Sequence, residues 1–261
     1  MNENFITLKT AVNNYAAEVN GLKEIREKAL NKTQNQFKGE YLAEQIRQCE
    51  ESYTEGVSSA KDKLFKVVNN ICDSLTDYVQ STVSKSIPDN IVTDLDSLRK
   101  LNNLSESEIK LYADKCKDCY LALRIISEIS SEHGYSFDVP TLDTLLFKVE
   151  NIRKTIVSVA EAVSIVNPEP AVTIGIIRML TPNTTLGLDG ILKDFEDSFD
   201  IPTVQPRVLT ELENNTVEQL CSGKTEDELM EIYNSSFEIG QLILAHPKYS
   251  KVINESRGKQ E

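Results

Sequence analysis

The sequence predicts an all-α protein in which a long N-terminal antiparallel helical hairpin, coiled-coil-like, packs on a C-terminal helical bundle with a loop-rich segment. Three observations predict this fold. Apolar residues recur every three or four positions along most of the chain, Trp is absent with only 7% aromatic residues, and the first proline is Pro88. Steps of three and four are the period of a helix with one apolar face. A long stretch without proline leaves such helices uninterrupted.

The first helix is predicted from Phe5 to about residue 30. Its apolar positions alternate steps of three and four, the seven-residue repeat of a coiled-coil seam. They are Phe5, Leu8, Val12, Tyr15, Val19 and Leu22, with Ile25 and Ala29 extending the stripe. The polar residues 31–39 are expected to form a loop. A loop of that length favours two neighbouring helices that fold back antiparallel.

The second helix, residues 42–83, carries the longest pattern in the chain. Its stripe is Leu42, Ile46, Cys49, Tyr53, Val57, Ala60, Leu64, Val67, Ile71, Leu75 and Tyr78. A helix of this length is about 60 Å long, whereas a compact globule of this size is roughly 45–50 Å across. Part of the helix must therefore project.

The shorter first helix can cover only part of the second, and it leaves the turns near residues 71–83 to dock elsewhere. These turns are expected to pack on the C-terminal half or on another copy of the chain. The predicted interaction stripe is Leu64, Val67, Ile71, Leu75 and Tyr78. Aspartate in place of Leu64 and Ile71 is expected to abolish self-association.

The sequence divides into the hairpin at residues 1–87 and a helical domain at 88–261. Within the second part, 88–166 is predicted to be a short bundle, with a capping box that begins at Ser105. Five of the eight prolines fall in residues 167–206, which are predicted to be loops with short helices at 171–180 and 186–199. A short buried strand at 172–177 is the alternative there. Residues 207–261 are predicted to be acidic helices, one of them opened by a capping box at Thr225, and a polar tail.

Two short motifs have structural explanations. Cys116 and Cys119 form a C-x-x-C motif, but zinc needs about four ligands and no second pair lies at a suitable spacing. Both cysteines fall inside a predicted helix on its apolar face, which favours core packing. Residues 223–225, Gly-Lys-Thr, resemble the end of a phosphate-binding loop, but Glu218 stands where that loop needs glycine.

No catalytic, cofactor-binding or metal-binding residue is predicted, so the protein is expected not to be an enzyme and to need no cofactor. His133 and His246 each fall at a predicted helix end, where a cation complements the helix dipole. An enzyme with a site around residues 167–206 is the open alternative. A deep pocket lined there by convergent polar side chains would support it.

The charge of −13 predicts the class of partner. Residues from Asp189 to Glu231 include twelve acids and three bases. Because an acidic chain is poorly suited to bind phosphate backbones, no nucleic-acid partner is expected. No apolar run approaches the roughly 20 residues of a membrane span. The N-terminus lacks a signal-peptide pattern and the cysteine count of five is odd, which together predict reduced thiols and a cytoplasmic protein.

Two passages carry a resemblance to a known group of proteins. One is Q-F-K-G-E-Y-L at 36–42; the other is L-S-E-S-E-I at 104–109, leading into A-D-K-C-K-D-C-Y at 113–120 and L-R at 123–124. They resemble helical structural proteins encoded among the head-assembly genes of tailed phages and prophages of low-GC Gram-positive bacteria. The resemblance covers roughly residues 5–135. It implies a scaffold-like or head-associated role, with self-association, capsid protein as partner, and a place in the host cytoplasm or the virion.

The expected function is therefore that of a non-enzymatic phage or prophage assembly protein, which acts by helix-mediated self-association and protein binding. The alternative is an intracellular bacterial adaptor or regulator that binds a partner protein and has no virion role. The genes that flank this one would distinguish the two, because capsid, portal and terminase neighbours favour assembly.

Overall fold

The computed structural model describes residues 2–101, 104–181 and 187–258, and it confirms the all-α prediction. The described helices are α1 (Asn2–Gln36), α2 (Gly39–Val83), α3 (Asp89–Arg99), α4 (Glu106–Lys115), α5 (Tyr120–Glu132), α6 (Leu142–Ser164), α7 (Pro170–Leu180), α8 (Leu188–Asp197), α9 (Glu211–Cys221), α10 (Glu226–Ser235), α11 (Phe237–Ala245) and α12 (Tyr249–Gly258). Two short strands, β1 (Tyr135–Ser136) and β2 (Gln205–Pro206), pair antiparallel.

The chain folds as two compact units, and each is assembled from two separate stretches of sequence. Unit 1 consists of Met1–Gln80 with Thr141–Phe199, and unit 2 consists of Ser81–Pro140 with Asp200–Glu261. This division corrects the sequence-based boundaries, which placed residues 1–87 and 88–261 in separate domains. The hairpin is not a domain of its own, because α6, α7 and α8 belong to the same unit as α1 and α2.

The second long helix is continuous from Gly39 to Val83, as predicted. The predicted loop at residues 31–39 is wrong, because α1 continues to Gln36 and only Phe37 and Lys38 separate the two helices. The N–H of Phe37 still donates to the carbonyl of Thr33 at 3.0 Å, which continues the helical hydrogen bonding. Gly39 then has a φ of +66°, a conformation that glycine adopts without steric cost.

Helices α1 and α2 are antiparallel along their shared length. Arg26 pairs with Glu50 near the turn, and Glu18 pairs with Lys63 at 2.9 Å farther along both helices. The two contacts follow opposite residue order on the two helices, as an antiparallel pair requires. The hairpin prediction is therefore confirmed.

Helix α6 lies antiparallel to α2 on the same bundle. The hydroxyl of Tyr53 donates to the carbonyl of Ser164 at 2.8 Å, and the guanidinium of Arg153 binds the carboxylate of Asp73 at 3.0 Å. Helix α6 also receives a hydrogen bond from α1, where the hydroxyl of Tyr15 donates to a backbone carbonyl of α6 at 2.8 Å. The return of α6 supplies packing that the hairpin lacks by itself.

Helix α8 completes a four-helix core with α1, α2 and α6. Lys9 of α1 pairs with Asp189 at 2.6 Å, and the rings of Phe5 and Phe195 meet edge to face at 6.2 Å. The buried apolar residues of α1 are Phe5, Leu8, Val12, Tyr15 and Val19, which are the first five positions of the predicted stripe. The buried residues of α2 are Val57, Ala60, Leu64, Val68, Ile71, Cys72, Leu75 and Val79.

The segment after residue 167 contains two helices, α7 and α8, separated from their neighbours by non-helical residues. Helices α7 and α8 match the predicted helices at 171–180 and 186–199, apart from residues 182–186, which lie outside the described residues. The alternative of a buried strand at 172–177 is wrong. Pro170 occupies the first turn of α7, where its fixed φ suits the start of a helix and its missing N–H costs nothing.

Unit 2 contains α3–α5, α9–α12 and the β1–β2 ladder. One apolar cluster of this unit is formed by Val217, Cys221, Leu229, Ile243, Leu244, Tyr249 and Ile253. The predicted capping boxes at Ser105 and Thr225 are both present, and a third, which the sequence analysis missed, opens α9 at Thr210. In each box the hydroxyl accepts from the N–H three residues later, which satisfies one of the unpaired donors of a helix start.

Candidate protein-binding surface

The predicted interaction stripe does not form an exposed surface. Leu64, Ile71 and Leu75 are buried in the core of unit 1, Val67 is half-buried, and only Tyr78 keeps substantial exposure, at 39%. The prediction that this stripe projects is therefore wrong for its three aliphatic core members. The other expectation, that the turns near residues 71–83 pack on the C-terminal half of the chain, agrees with the contacts that α6 and the residues just after α8 make with this part of α2.

Two contacts show how α6 and α8 reach this part of α2. Arg153 of α6 bonds both Asn69, at 3.2 Å, and Asp73, at 3.0 Å. The ring of Tyr78 meets that of Phe199, just after α8, edge to face at 5.2 Å. The stripe is thus the inner face of a four-helix bundle.

The opposite end of the hairpin extends beyond the bundle. Helix α6 ends at Ser164, whose carbonyl accepts a hydrogen bond from the hydroxyl of Tyr53. From that level to the turn, α1 and α2 continue as a pair of helices. We call residues 23–52 the hairpin tip: its α1 arm with the turn is 23–38, and its α2 arm is 39–52.

Burial changes abruptly at the base of the tip. Residues 20–56 are all described, and among them only Thr33 is buried, whereas buried residues recur at helical spacing on both helices beyond this range. The apolar side chains of the tip are partly covered: Ala29, Leu30, Leu42, Ile46 and Cys49 are half-buried. Ile25 is 64% exposed and Tyr41 is 59% exposed. Each helix of the tip covers the apolar side chains of the other on one side only. We call these half-buried apolar side chains the seam of the tip, and part of their surface remains in contact with water.

One ion pair joins the two arms of the tip and holds them in register. The guanidinium of Arg26 binds both carboxylate oxygens of Glu50, with Nε at 2.7 Å from Oε2, and lies 5.7 Å from the centre of the Tyr53 ring. The hydrogen bond from Arg26 lowers the pKa of the Glu50 carboxyl. Two oxygens on one guanidinium make a bidentate pair, the strongest form of this contact.

The tip has a charge pattern unlike that of the whole protein. Residues 23–38 carry five bases and two acids, a net of +3; residues 39–52 carry one base and four acids, a net of −3. The tip as a whole is neutral, so the entire net charge of −13 lies outside it. The signal for this site is present in the sequence as the opposite charge of the two arms, and the acidic block near the C-terminus does not reveal it.

A second apolar surface lies on α7. The helix has no buried residue, and Ile174 and Ile177 are both exposed. Unlike the tip, this surface is a single short helix that lies along the bundle. It offers a natural control for experiments on the tip.

The C-x-x-C cysteines have a structural position that differs from the prediction. Helix α4 ends at Lys115 and α5 begins at Tyr120, so Cys116 and Cys119 lie between two helices, not inside one. Both are buried, as core packing predicts, and burial raises the pKa of the Cys116 thiol. A raised pKa disfavours the reactive thiolate.

Two cavities bear on the enzyme alternative. One, of about 210 Å³, lies against α7 and α8, and two of its polar side chains, Lys9 and Asp189, pair with each other. The other, of about 380 Å³, lies in unit 2, where the ring nitrogens of His133 face the carbonyls of Ile129 at 2.8 Å and Leu101 at 3.1 Å. Lys9, Asp189 and His133 therefore have partners within the fold.

Two kinds of site are absent from residues 2–101, 104–181 and 187–258. Within them, no group of three or more His, Cys, Asp or Glu side chains is placed to hold a metal ion. Across the same ranges, none of the helices combines the length and apolarity that crossing a membrane requires.

Comparison with known proteins adds no relative to this picture: no family model, curated protein or solved structure matches the chain.

Proposed function

We propose that this chain is a non-enzymatic assembly protein that acts by helix-mediated protein binding, with the hairpin tip as its docking element. The observation that carries the proposal is the abrupt loss of burial where α6 ends at Ser164. Beyond that level two helices continue with a half-covered apolar seam. Exposed apolar surface on a folded helix pair is typical of a site that binds another protein, and two antiparallel helices offer a groove for further helices.

The partner class is protein. The tip presents helical ridges and charged side chains of both signs, which suit another helix. In the rest of the chain acidic residues outnumber basic ones, which disfavours binding to the phosphate backbone of nucleic acid.

The resemblance of residues 5–135 to phage head-assembly proteins supports the finer proposal of a scaffold-like role with capsid protein as partner, in the host cytoplasm or the virion. The alternative is a bacterial adaptor that uses the same tip on a regulatory partner. The neighbouring genes distinguish these two roles, since the physical docking element is common to both.

If a capsid gene flanks the gene for this chain, the test co-expresses the full chain with that capsid protein. We expect the chain to co-sediment with capsid assemblies, and we expect the double variant Ile25→Ser, Tyr41→Ser to lose at least tenfold in bound amount. The matched control is Ile174→Ser, Ile177→Ser on α7, which should bind as the parent does. Co-sedimentation that is unaffected by the tip variant contradicts the docking role of the tip; absence of any co-sedimentation contradicts the capsid assignment and leaves the adaptor as the role to test.

A further inference from the structure

We infer that a cavity in unit 2 binds a free α-amino acid, with Arg99 and Gln241 on the carboxylate of the ligand and Glu132 on its ammonium group. The cavity has a volume of about 380 Å³ and lies where the ends of α3 and α5 meet α11. We call it the unit 2 cavity; its lining includes Arg99, Leu101, Glu132, His133, Gln241 and Leu244. The hairpin tip belongs to unit 1, so this inference does not depend on the proposed docking role.

Contacts within the fold hold the walls of the unit 2 cavity in place. A Cβ at Gly134 would come within 3.0 Å of the backbone oxygen of Leu244, so the end of α5 lies directly against α11. A ring nitrogen of His133 faces the carbonyl of Leu101 at 3.1 Å, which joins the end of α5 to the residues just after α3. The three helices that carry the proposed ligand contacts are therefore linked to one another around the cavity.

The side chain of Gln241 gives the strongest indication of a ligand. It lines the cavity and is only 5% exposed. Its carbonyl oxygen accepts a hydrogen bond from the hydroxyl of Ser131 at 3.3 Å, whereas its amide N–H groups donate to no residue that the structure describes. Buried polar groups in folded proteins nearly always have a hydrogen-bond partner. A carboxylate oxygen in the cavity would supply the missing acceptor.

Two side chains of opposite charge line the same cavity. Arg99 is the last residue of α3 and Glu132 is the last residue of α5. Within the described part of the chain, neither forms a hydrogen bond or an ion pair through its side chain. A guanidinium binds a carboxylate through paired hydrogen bonds. The carboxylate of Glu132 lies at the negative end of the α5 dipole, which further favours a cation beside it.

The combination of the two charges decides between classes of ligand. Glu132 would repel a phosphate, and Arg99 would repel a metal ion or a simple amine. In addition, the described residues contain no group of three or more His, Cys, Asp or Glu side chains that could hold a metal ion. A molecule that carries both an ammonium and a carboxylate is attracted by both side chains. An α-amino acid has these two groups next to each other.

The volume of the cavity indicates the size of the ligand. At about 30 Å³ for each water molecule, a cavity of about 380 Å³ has room for roughly a dozen waters. A single amino acid has a comparable number of non-hydrogen atoms. A peptide carries its free ammonium and carboxylate at opposite ends, so it matches the paired charges less well. Leu101 and Leu244 add apolar surface on which the side chain of the amino acid can pack.

The experiment measures binding to the full chain by isothermal titration calorimetry, with each standard amino acid as a separate probe. We expect at least one of them to bind, with one molecule per chain. Two analogues of that amino acid then test the contacts, since the N-acetyl derivative lacks the ammonium charge and the carboxamide lacks the carboxylate. Each analogue should bind at least about tenfold more weakly, the loss expected when one charged hydrogen bond is removed.

Two variants remove the charges of the cavity one at a time. Arg99→Gln and Glu132→Gln should each weaken binding of the amino acid at least about tenfold. Glu132→Gln should leave the affinity for the N-acetyl derivative unchanged, because that analogue lacks the group that Glu132 binds. The matched controls are Lys100→Gln and Glu128→Gln, which make the same changes of charge at exposed positions outside the lining and should bind as the parent does.

A third variant tests the buried amide. Gln241→Leu keeps a similar side-chain volume but removes the N–H donors, so it should also weaken the amino acid at least about tenfold. Thermal unfolding of each variant shows whether it is folded at the temperature of the titration. Because Arg99 is exposed and Glu132 is half-buried, their replacement by glutamine should leave the fold intact.

The contrary results are equally specific. If no standard amino acid binds, the inference is overturned. An affinity that either Arg99→Gln or Glu132→Gln leaves unchanged also overturns it, because the amino acid then binds elsewhere or through one charge only. An N-acetyl derivative that binds as tightly as the free amino acid excludes the ammonium contact and has the same consequence. None of these outcomes changes the co-sedimentation test of the hairpin tip, so the two proposals can fail separately.

Discussion

Replacement of Leu64 by alanine distinguishes a core position from a docking position. The side chain is 3% exposed and lies on the face of α2 that packs into the unit 1 bundle. Leu→Ala removes three buried carbons, worth about 2.4 kcal/mol in transfer free energy at about 0.8 kcal/mol each. The residual cavity adds about 1 kcal/mol if it retains roughly 40 Å³. The free energy of unfolding should therefore fall by about 3–4 kcal/mol.

The assay is urea unfolding followed by circular dichroism, at a concentration where the parent is monomeric. The matched control is Ile46→Ala in the hairpin tip, where the isoleucine is half-buried and water can fill the vacated space. Its cost should be only about 1 kcal/mol, because half of the transfer term applies and no closed cavity forms. The dependence of the free energy on urea should keep its slope in both variants.

The two variants should also differ in association. In the absence of urea, Leu64→Ala should leave co-sedimentation with capsid protein unchanged, whereas Ile46→Ala should weaken it. If Leu64→Ala instead costs less than about 1 kcal/mol and weakens association, then Leu64 lies on a partner surface. That result would restore the interaction stripe expected from the sequence and refute the bundle described for unit 1.

Three further predictions follow from individual contacts. The hydrogen bond from Arg26 lowers the pKa of Glu50, so the ion pair stabilises the fold at neutral pH. This stabilisation is lost as the pH falls through the acidic range below 4.5. In thermal unfolding, Glu50→Gln should therefore lose less stability than the parent between pH 7 and pH 3. Burial raises the pKa of Tyr15 to about 12, so the neutral phenol contributes to the free energy of unfolding below pH 10. This contribution is lost as the pH rises toward 12. Tyr15→Phe should therefore reduce the fall in unfolding free energy over this range in a denaturation series. Gly134→Ala should lower the free energy of unfolding by about 1–3 kcal/mol more than Gly223→Ala. Both glycines have a positive φ, but of the two only a Cβ at 134 would meet a backbone oxygen, at 3.0 Å. Equal losses of unfolding free energy in urea would contradict this close approach.

Local features of the fold could be predicted from the sequence. The buried face of α1 from Phe5 to Val19 follows directly from its spacing, because periodicity records which side of a helix avoids water. The capping boxes at Ser105 and Thr225 are equally local, since each is a contact between residues three positions apart. The continuity of α2 followed from the absence of proline.

Features that depend on distant residues could not be predicted in the same way. Whether Leu64 is covered depends on α6, which comes more than seventy residues later and returns to the hairpin after α3–α5. The apolar stripe of α2 has the same spacing at its buried end and at its exposed end. Periodicity therefore identified the face of the helix but not the part of it that lacks a neighbour.

The loop expected at residues 31–39 shows a similar limit. Those residues are polar and interrupt the apolar stripe, which the sequence analysis took as the end of a helix. In the structure the backbone hydrogen bonds continue to the N–H of Phe37, since a polar surface face does not prevent helix formation when the residues tolerate helical geometry. The charge of each arm was available in the sequence, and its meaning depended on knowing which residues project.

The most direct measurement of the central claim is hydrogen–deuterium exchange of the backbone amides with and without the capsid protein. If the partner docks on the hairpin tip, exchange in residues 23–52 should slow as capsid protein is added, because a bound partner stabilises these helical turns, while residues 57–79 should exchange equally slowly throughout. Protection by capsid protein in residues 64–78 with none in the tip would contradict the account.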